Sequence, residues 1–283
     1  MRLNSDNIKA AAIATASYGI FVGSDTVVKL QSEGHPLSQT IFMVSGMACV
    51  FMALFCIVTR NPRRLIPIYP RFVITRGLIL ATNTAMFYYS ISLIPLADAY
   101  VLAFTGPIFV ALLAFLVLGE RLSVLATIGV VLGFVGVVIA TRPAGGSFGL
   151  GHAAAVGSAV LFSITLLMLR RVHHAESDLA LAFVPLVIMA GVAFLIALST
   201  GSIIPVALDA FLVFALGGFC QFIANILLVR AFRLGTASVV APSQYSQIFW
   251  GSLIGYLVFG ATIDIYTVIG AVVIIGSGLL VLR

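Results

Sequence analysis

Charge is scarce in this chain. Asp, Glu, Lys and Arg together supply 8% of its 283 residues, against about 25% in an ordinary soluble domain. With 61% hydrophobic residues and a mean hydropathy of +1.20, it has too little polar surface to cover a core in water. Acidic residues are the scarcest, nine against fifteen basic, for a net charge of +6. In a soluble protein that excess would invite nucleic acid. Here the basic residues are few and stand between apolar runs, where membrane topology and anionic lipid headgroups account for them, so no nucleic-acid partner is expected. Cysteine is sparse too. Cys49, Cys56 and Cys220 lie inside apolar runs with no CxxC pair, which argues against disulfide or zinc chemistry and for small buried hydrophobes.

Catalytic constellations are also missing. There is no HExxH, no intramembrane Asp pair and no His cluster facing a carboxylate. His173 and His174, with Glu176 and Asp178, read as a solvated turn and not as a metal site. An enzyme is therefore not expected, nor a metal or a cofactor. No Walker motif is present and no loop has room for a nucleotide domain, so no ATPase function or ATPase subunit is evident. No ring of charges suggests a channel filter.

What the chain does have is long apolar runs. Ten can be drawn, roughly 8–30, 37–59, 71–94, 96–118, 123–141, 150–170, 178–200, 208–230, 236–259 and 263–282. Most are long enough to cross ~30 Å of hydrocarbon at about 1.5 Å per residue as helices. They do not alternate, and they are about twice the length a barrel strand needs. The predicted fold is an all-α integral membrane protein with ten transmembrane helices. The polar start MRLNSDNIKA has no convincing cleavage site after it, so the first run is expected to stay as a span.

Placing the N-terminus in the cytoplasm puts Arg2, Lys9, Arg60, Arg63, Arg64, Arg71, Arg121, Arg170, Arg171, Arg230, Arg233 and Arg283 inside, and only Lys29 and Arg142 outside. That bias predicts both termini in the cytoplasm. The halves also echo each other at an offset of 141. Leu116-Val117-Leu118-Gly119 is answered by Leu257-Val258-Phe259-Gly260, Gly129 by Gly270, and Ser17, Phe21, Lys29 and Phe42 by Ser158, Phe162, Arg170 and Phe183. Five spans per half is an odd number, so the second copy enters from the opposite side. Two inverted five-helix repeats, 1–141 and 150–283, are the expected domains.

Pro107, near the middle of the fourth run, is expected to kink it. Glycine pairs at 19/23, 129/133 and 251/255 would let helices approach closely. Polar side chains are costly in hydrocarbon, so their positions mark function. Asn83, Tyr88, Tyr89 and Tyr100 lie on the third and fourth runs. Gln221 and Asn225 lie one turn apart on the eighth, and Gln244, Tyr245, Gln247 and Trp250 on the ninth. Amides among aromatics make a mixed surface suited to a small solute, with helix-to-helix polar clamps as the alternative. Asp25 and Arg76 either contact charges on that solute or reach the interfaces as anchors. With only Arg76 at depth, a multiply anionic solute is disfavoured. A solute with a planar or apolar part and neutral or zwitterionic groups is favoured.

The run Arg76…Asn83…Phe87-Tyr88-Tyr89-Ser90…Pro95-Leu96-Ala97-Asp98-Ala99, followed by Pro107 and Leu118-Gly119-Glu120-Arg121, resembles the EamA family of the drug/metabolite transporter superfamily. Ala231-Phe232-Arg233-Leu234-Gly235-Thr236-Ala237, Tyr245-Ser246-Gln247 and Trp250 look like its companion half. The resemblance implies a secondary carrier of small organic metabolites in the bacterial inner membrane, working by alternating access around a cavity lined by spans one, three, four, six, eight and nine. Relatives include exporters and uptake systems for S-adenosylmethionine and riboflavin, so substrate and direction stay open, as does a homo-oligomer. A non-transporting scaffold or sensor is the competing class. One departure is plain: the second copy has Gly260-Ala261 where the first has Gly119-Glu120, and Gln247 near the place of Pro107.

Overall fold

A computed structural model of the chain describes residues 5–94, 96–120, 123–141, 148–260 and 265–281, and among these every regular element is helical. The helices are α1 (Ser5–Gln31), α2 (Leu37–Val58), α3 (Pro70–Leu93), α4 (Leu96–Ala103), α5 (Gly106–Leu113), α6 (Val124–Thr141), α7 (Leu150–Arg171), α8 (Asp178–Ser199), α9 (Leu208–Leu234), α10 (Ala237–Val240), α11 (Ser246–Phe259) and α12 (Ile265–Val281). Among the described residues, six stretches are long and apolar enough to cross a membrane: α1, α2, Ala99–Leu118, α7, α8 and α9. The outer faces carry side chains that water would reject. Val58, Leu195 and Leu257 are 80%, 64% and 68% exposed, which a hydrocarbon solvent tolerates.

The ten expected spans are not ten uniform helices. The third, α3, is continuous, but Arg71, Arg76, Thr82, Asn83 and Thr84 dilute its apolar character. The fourth is interrupted. Proline at 107 has no N–H to offer Ala103, so α4 stops, a turn at Phe104-Thr105 intervenes, and α5 restarts with Pro107 in its first turn. The ninth breaks as well. α10 gives way to a 3₁₀ turn over Ala241–Tyr245 that opens on Pro242, and α11 follows with 14 residues. At about 1.5 Å per residue, α11 alone falls short of the bilayer core.

The repeated tetrapeptides end alike. A π turn over Ala114–Leu118 closes on Gly119 at φ 68°, and α11 closes on Gly260 at φ 63°. Both glycines occupy the left-handed region where a Cβ would be strained, which explains why the second copy keeps this residue while losing the glutamate after it.

The described chain forms two compact units, each drawing on both sequence halves. One comprises 1–19, 82–171 and 230–283, and the other 20–81 and 172–229. In the first unit α6 lies against α12, and a Cβ on Gly136 would meet the Gly270 carbonyl oxygen at 2.9 Å. A core of Val101, Phe104, Val137, Tyr245 and Ile274 fills this unit. In the second unit α2 packs on α8, with Phe42 and Phe194 rings 5.0 Å apart. Val27, Val44 and Phe214 form its core cluster. Of the glycine pairs, 133 is used for close packing, 19 abuts the Trp250 indole, and 23 makes ordinary contact with Cys220. Gly251 faces open space, so the 251/255 pair is not a packing seam there.

Candidate solute site

In the first unit the two broken spans place Gln244 against Gly106. The 3₁₀ turn buries Gln244 to 7% exposure, and its Oε1 has no hydrogen-bond partner among the described residues. A Cβ on Gly106 would sit 3.1 Å from that oxygen, so glycine makes the room. Behind it, the Ser163 hydroxyl donates to Ala159 O at 2.7 Å and lies 3.0 Å from Gly106 O, tying the helix restart to α7. The Trp250 indole covers Gly19, and its Nε1 donor is buried without a partner among the described residues, as are Tyr18 Oη and Ser90 Oγ. Buried polar atoms are ordinarily paired, and each orphan costs about 1–3 kcal/mol. Four buried polar atoms of this unit are thus left without a hydrogen-bond partner among the described residues.

Other expected site residues of this unit divide. Tyr245 is 1% exposed, its ring in the core cluster and its hydroxyl donating to Val130 O at 3.3 Å, so it serves packing. Tyr89 and Tyr100 are exposed, the latter with its ring 5.4 Å from Phe87. Asn83 and Gln247 are half-buried. The Tyr88 side chain lies outside the described residues.

The remaining candidates belong to the second unit. Asp25 is exposed on α1. Arg76 is 4% exposed and donates from Nη1 to Leu181 O at 2.8 Å, so it bonds inside the protein and does not reach out as an interfacial anchor. Asn225 Nδ2 donates to Gln221 O one turn back at 2.9 Å, while Gln221 Oε1 is buried without a partner among the described residues. This unit also holds a cavity of about 400 Å³ lined by Gln31, His35, Pro205 and Asp209 among others.

Three polar anchors were not legible in the sequence. Glu176 is 2% exposed, not solvated: its carboxylate accepts from the N–H groups of Ile68 at 3.1 Å, Tyr69 at 2.8 Å and Ser177 at 3.0 Å. Gln39 makes a two-way bond with Ile204, Nε2 to O at 2.7 Å and N to Oε1 at 3.0 Å. In the first unit, Glu120 accepts from the Ser238 hydroxyl at 3.1 Å and faces Arg170 Nε at 3.4 Å. Arg170 also donates to Arg233 O at 3.3 Å, and Arg171 donates to Val117 O at 3.2 Å. These two arginines therefore hold protein groups at this end of the unit. For Glu176 a cue was present in Ser177-Asp178 before an apolar run, the signature of a helix start, and Ser177 Oγ indeed caps Leu179 N at 3.2 Å.

Long apolar helices and lipid-type surfaces mark a polytopic membrane protein. The model of the EamA-like transporter family matches residues 8–142 and again 149–283, and the chain belongs to that family. Among similar proteins, the S-adenosylmethionine uptake transporter of Rickettsia prowazekii is 28% identical over 209 residues, 74% of this chain and 70% of the relative. The riboflavin transporter of Rhizobium johnstonii is 26% identical over 215 residues, 76% of this chain and 71% of the relative. A solved crystal structure matches with a TM-score of 0.82 over 96% of this chain and 97% of its own, at 18% identity, a likeness of fold alone.

Proposed function

We propose that this transporter is a secondary carrier of small organic metabolites, amino-acid-like or heterocyclic, in the bacterial inner membrane. It works by alternating access with ten spans in two inverted repeats and both termini cytoplasmic. The observation that carries the reading is the pair of unpaired buried groups in broken spans, Gln244 Oε1 as acceptor and Trp250 Nε1 as donor. Interrupted helices at membrane depth are tolerated where they serve a binding site. S-adenosylmethionine and riboflavin lead the candidate solutes, since both combine a planar heterocycle with several polar groups and similar proteins bear those names.

Reconstitution in proteoliposomes with a panel of labelled metabolites tests it, with saturable flux expected for a planar zwitterionic or neutral solute. Flux of none of them in folded protein would favour the scaffold or sensor class. Orientation is read separately: Arg63→Cys should resist an impermeant reagent added outside intact cells, and reaction there would reverse the topology.

A further inference from the structure

Helix α2 ends on a strained arginine. Asn61 N–H bonds to Cys56 O and Arg60 N–H to Ile57 O, both at 2.9 Å, the paired closure that ordinarily seats a glycine in the left-handed region. Arg60 occupies that seat at φ 56°. Among the described residues, the other three positive φ values belong to Gly119, Gly201 and Gly260. A side chain kept where its Cβ is crowded points to a use for that side chain.

Arg60 opens a basic segment. Arg63 and Arg64 follow on a 3₁₀ turn over Pro62–Leu65, and Arg71 stands at the start of α3. All four are exposed, and their guanidinium groups make no hydrogen bond or ion pair with a described residue. No acidic residue occurs between Glu33 and Asp98, so the neighbouring chain supplies no countercharge. Glu176 does reach this segment, but its carboxylate accepts from the N–H groups of Ile68 and Tyr69. It fixes the backbone and leaves the arginines unneutralised. The Tyr69 ring lies 5.3 Å from that of His173, and the 3₁₀ turn packs on α2 and α8. The four cations are therefore carried on a backbone tied into the second unit.

Apolar side chains frame these charges. Ile57 and Val58 are exposed just before Arg60, and Ile66, Ile68 and Tyr69 are exposed just after the turn. Arginines set between lipid-compatible side chains belong where hydrocarbon gives way to headgroups, at the depth of phospholipid phosphates. A soluble phosphate has no use for that apolar frame. We propose that residues 57–71 form a binding surface for anionic phospholipid. Arg60, Arg63, Arg64 and Arg71 take headgroup phosphates, while Ile66, Ile68 and Tyr69 lie at the boundary with the acyl chains. Guanidinium groups offer forked N–H donors to phosphate oxygens, and four uncompensated cations favour lipids of net negative charge over zwitterionic ones. This surface requires membrane insertion alone and holds whether or not the protein carries a solute.

The test reads lipid at the segment itself. Ile66→Cys carries a fluorophore, with Cys49, Cys56 and Cys220 replaced by alanine. The labelled protein is placed in nanodiscs holding doxyl-labelled phosphatidylglycerol or, separately, doxyl-labelled phosphatidylcholine. Quenching should be several-fold stronger with phosphatidylglycerol, since each arginine near an anionic surface is worth about fivefold in association. Arg60→Gly should cut that preference several-fold while the melting temperature holds or rises, because glycine relieves the left-handed strain. Arg63→Gln with Arg64→Gln should bring the preference near unity, and Arg63→Lys with Arg64→Lys should keep most of it. No quenching by either lipid, equal quenching by both, or an unchanged preference in Arg60→Gly and the double glutamine variant overturns the proposal. Displacement of phosphatidylglycerol by millimolar inorganic phosphate would assign the arginines to a soluble anion and overturn it too. Should the cysteine-free protein not fold, native mass spectrometry of wild type and the same arginine variants decides. Phosphatidylglycerol retained by wild type and lost from the variants supports the surface, and equal retention overturns it. Solute flux in the same preparations is scored separately, so failure of the lipid surface leaves the carrier reading standing.

Discussion

The side-chain oxygen of Gln244 lies so close to Gly106 that a single methyl group there would come within 3.1 Å of it. Because that oxygen has no partner among the described residues, Gln244→Ala removes a polar atom that folding left unsatisfied. Stability should change by less than about 1 kcal/mol, while solute affinity should fall by about 1–3 kcal/mol, roughly 5- to 150-fold. Gly106→Ala should act on the same amide, raising the half-saturation constant with little loss of melting temperature. Thermal unfolding in detergent beside flux titrations separates the two quantities. A large stability loss with unaltered affinity would make Gln244 a structural clamp.

Tyr245 is expected to behave in the opposite way. Its ring sits in the core and its hydroxyl bonds Val130 O at 3.3 Å. Tyr245→Phe should cost about 0.5–1.5 kcal/mol of stability and leave solute affinity within twofold. A selective loss of affinity in this variant would return Tyr245 to the solute surface.

Glu176 makes a stability prediction outside the spans. Three backbone N–H groups lose their acceptor in Glu176→Ala, a change expected to destabilise by about 2–3 kcal/mol or more, with Glu176→Gln intermediate because one amide oxygen remains. Melting temperatures of the purified variants check the order wild type, Gln, Ala. Equal values for all three would mean that the junction contributes little.

Asp25 is exposed on α1 and suits a cationic end of a solute. Asp25→Asn should weaken binding of a cationic substrate roughly three- to tenfold and leave a neutral heterocycle nearly unaffected. Competition of both solutes against one labelled substrate reads the ratio. Equal loss for both would assign Asp25 a structural role. Flux that stops responding to a pH gradient in the same variant would instead place Asp25 in proton coupling.

Much of the fold was legible because hydrocarbon imposes a simple rule: apolar runs near twenty residues must be helices, and α2, α7, α8 and α9 fall close to their expected limits. Pro107 marked the break in the fourth span for a local reason, the missing N–H. Pro242 marks an equivalent break in the ninth for the same local reason. The polar residues chosen for cost in lipid separated once neighbours were placed: Gln244 and Trp250 keep unpaired atoms, whereas Tyr245 and Asn225 bond to the protein's own backbone. The contacts of Arg76 and Glu176 stayed hidden for one reason. Their partners, Leu181 O and the N–H groups of Ile68 and Tyr69, lie over a hundred residues away along the chain. Backbone groups carry no side-chain identity, so no residue pattern announces them. Glu120 stood out as a glycine–glutamate doublet, but its role as a three-way junction needed Ser238 and Arg170 in place.

The most direct test of a metabolite carrier is uptake of labelled S-adenosylmethionine, riboflavin and an amino-acid panel into proteoliposomes, comparing wild type with Gln244→Ala and Asn83→Ala. The predicted result is saturable flux of at least one planar zwitterionic or neutral solute, with affinity reduced at least fivefold in Gln244→Ala. Flux of none of them, a multiply anionic best substrate, or normal transport in both variants would contradict it.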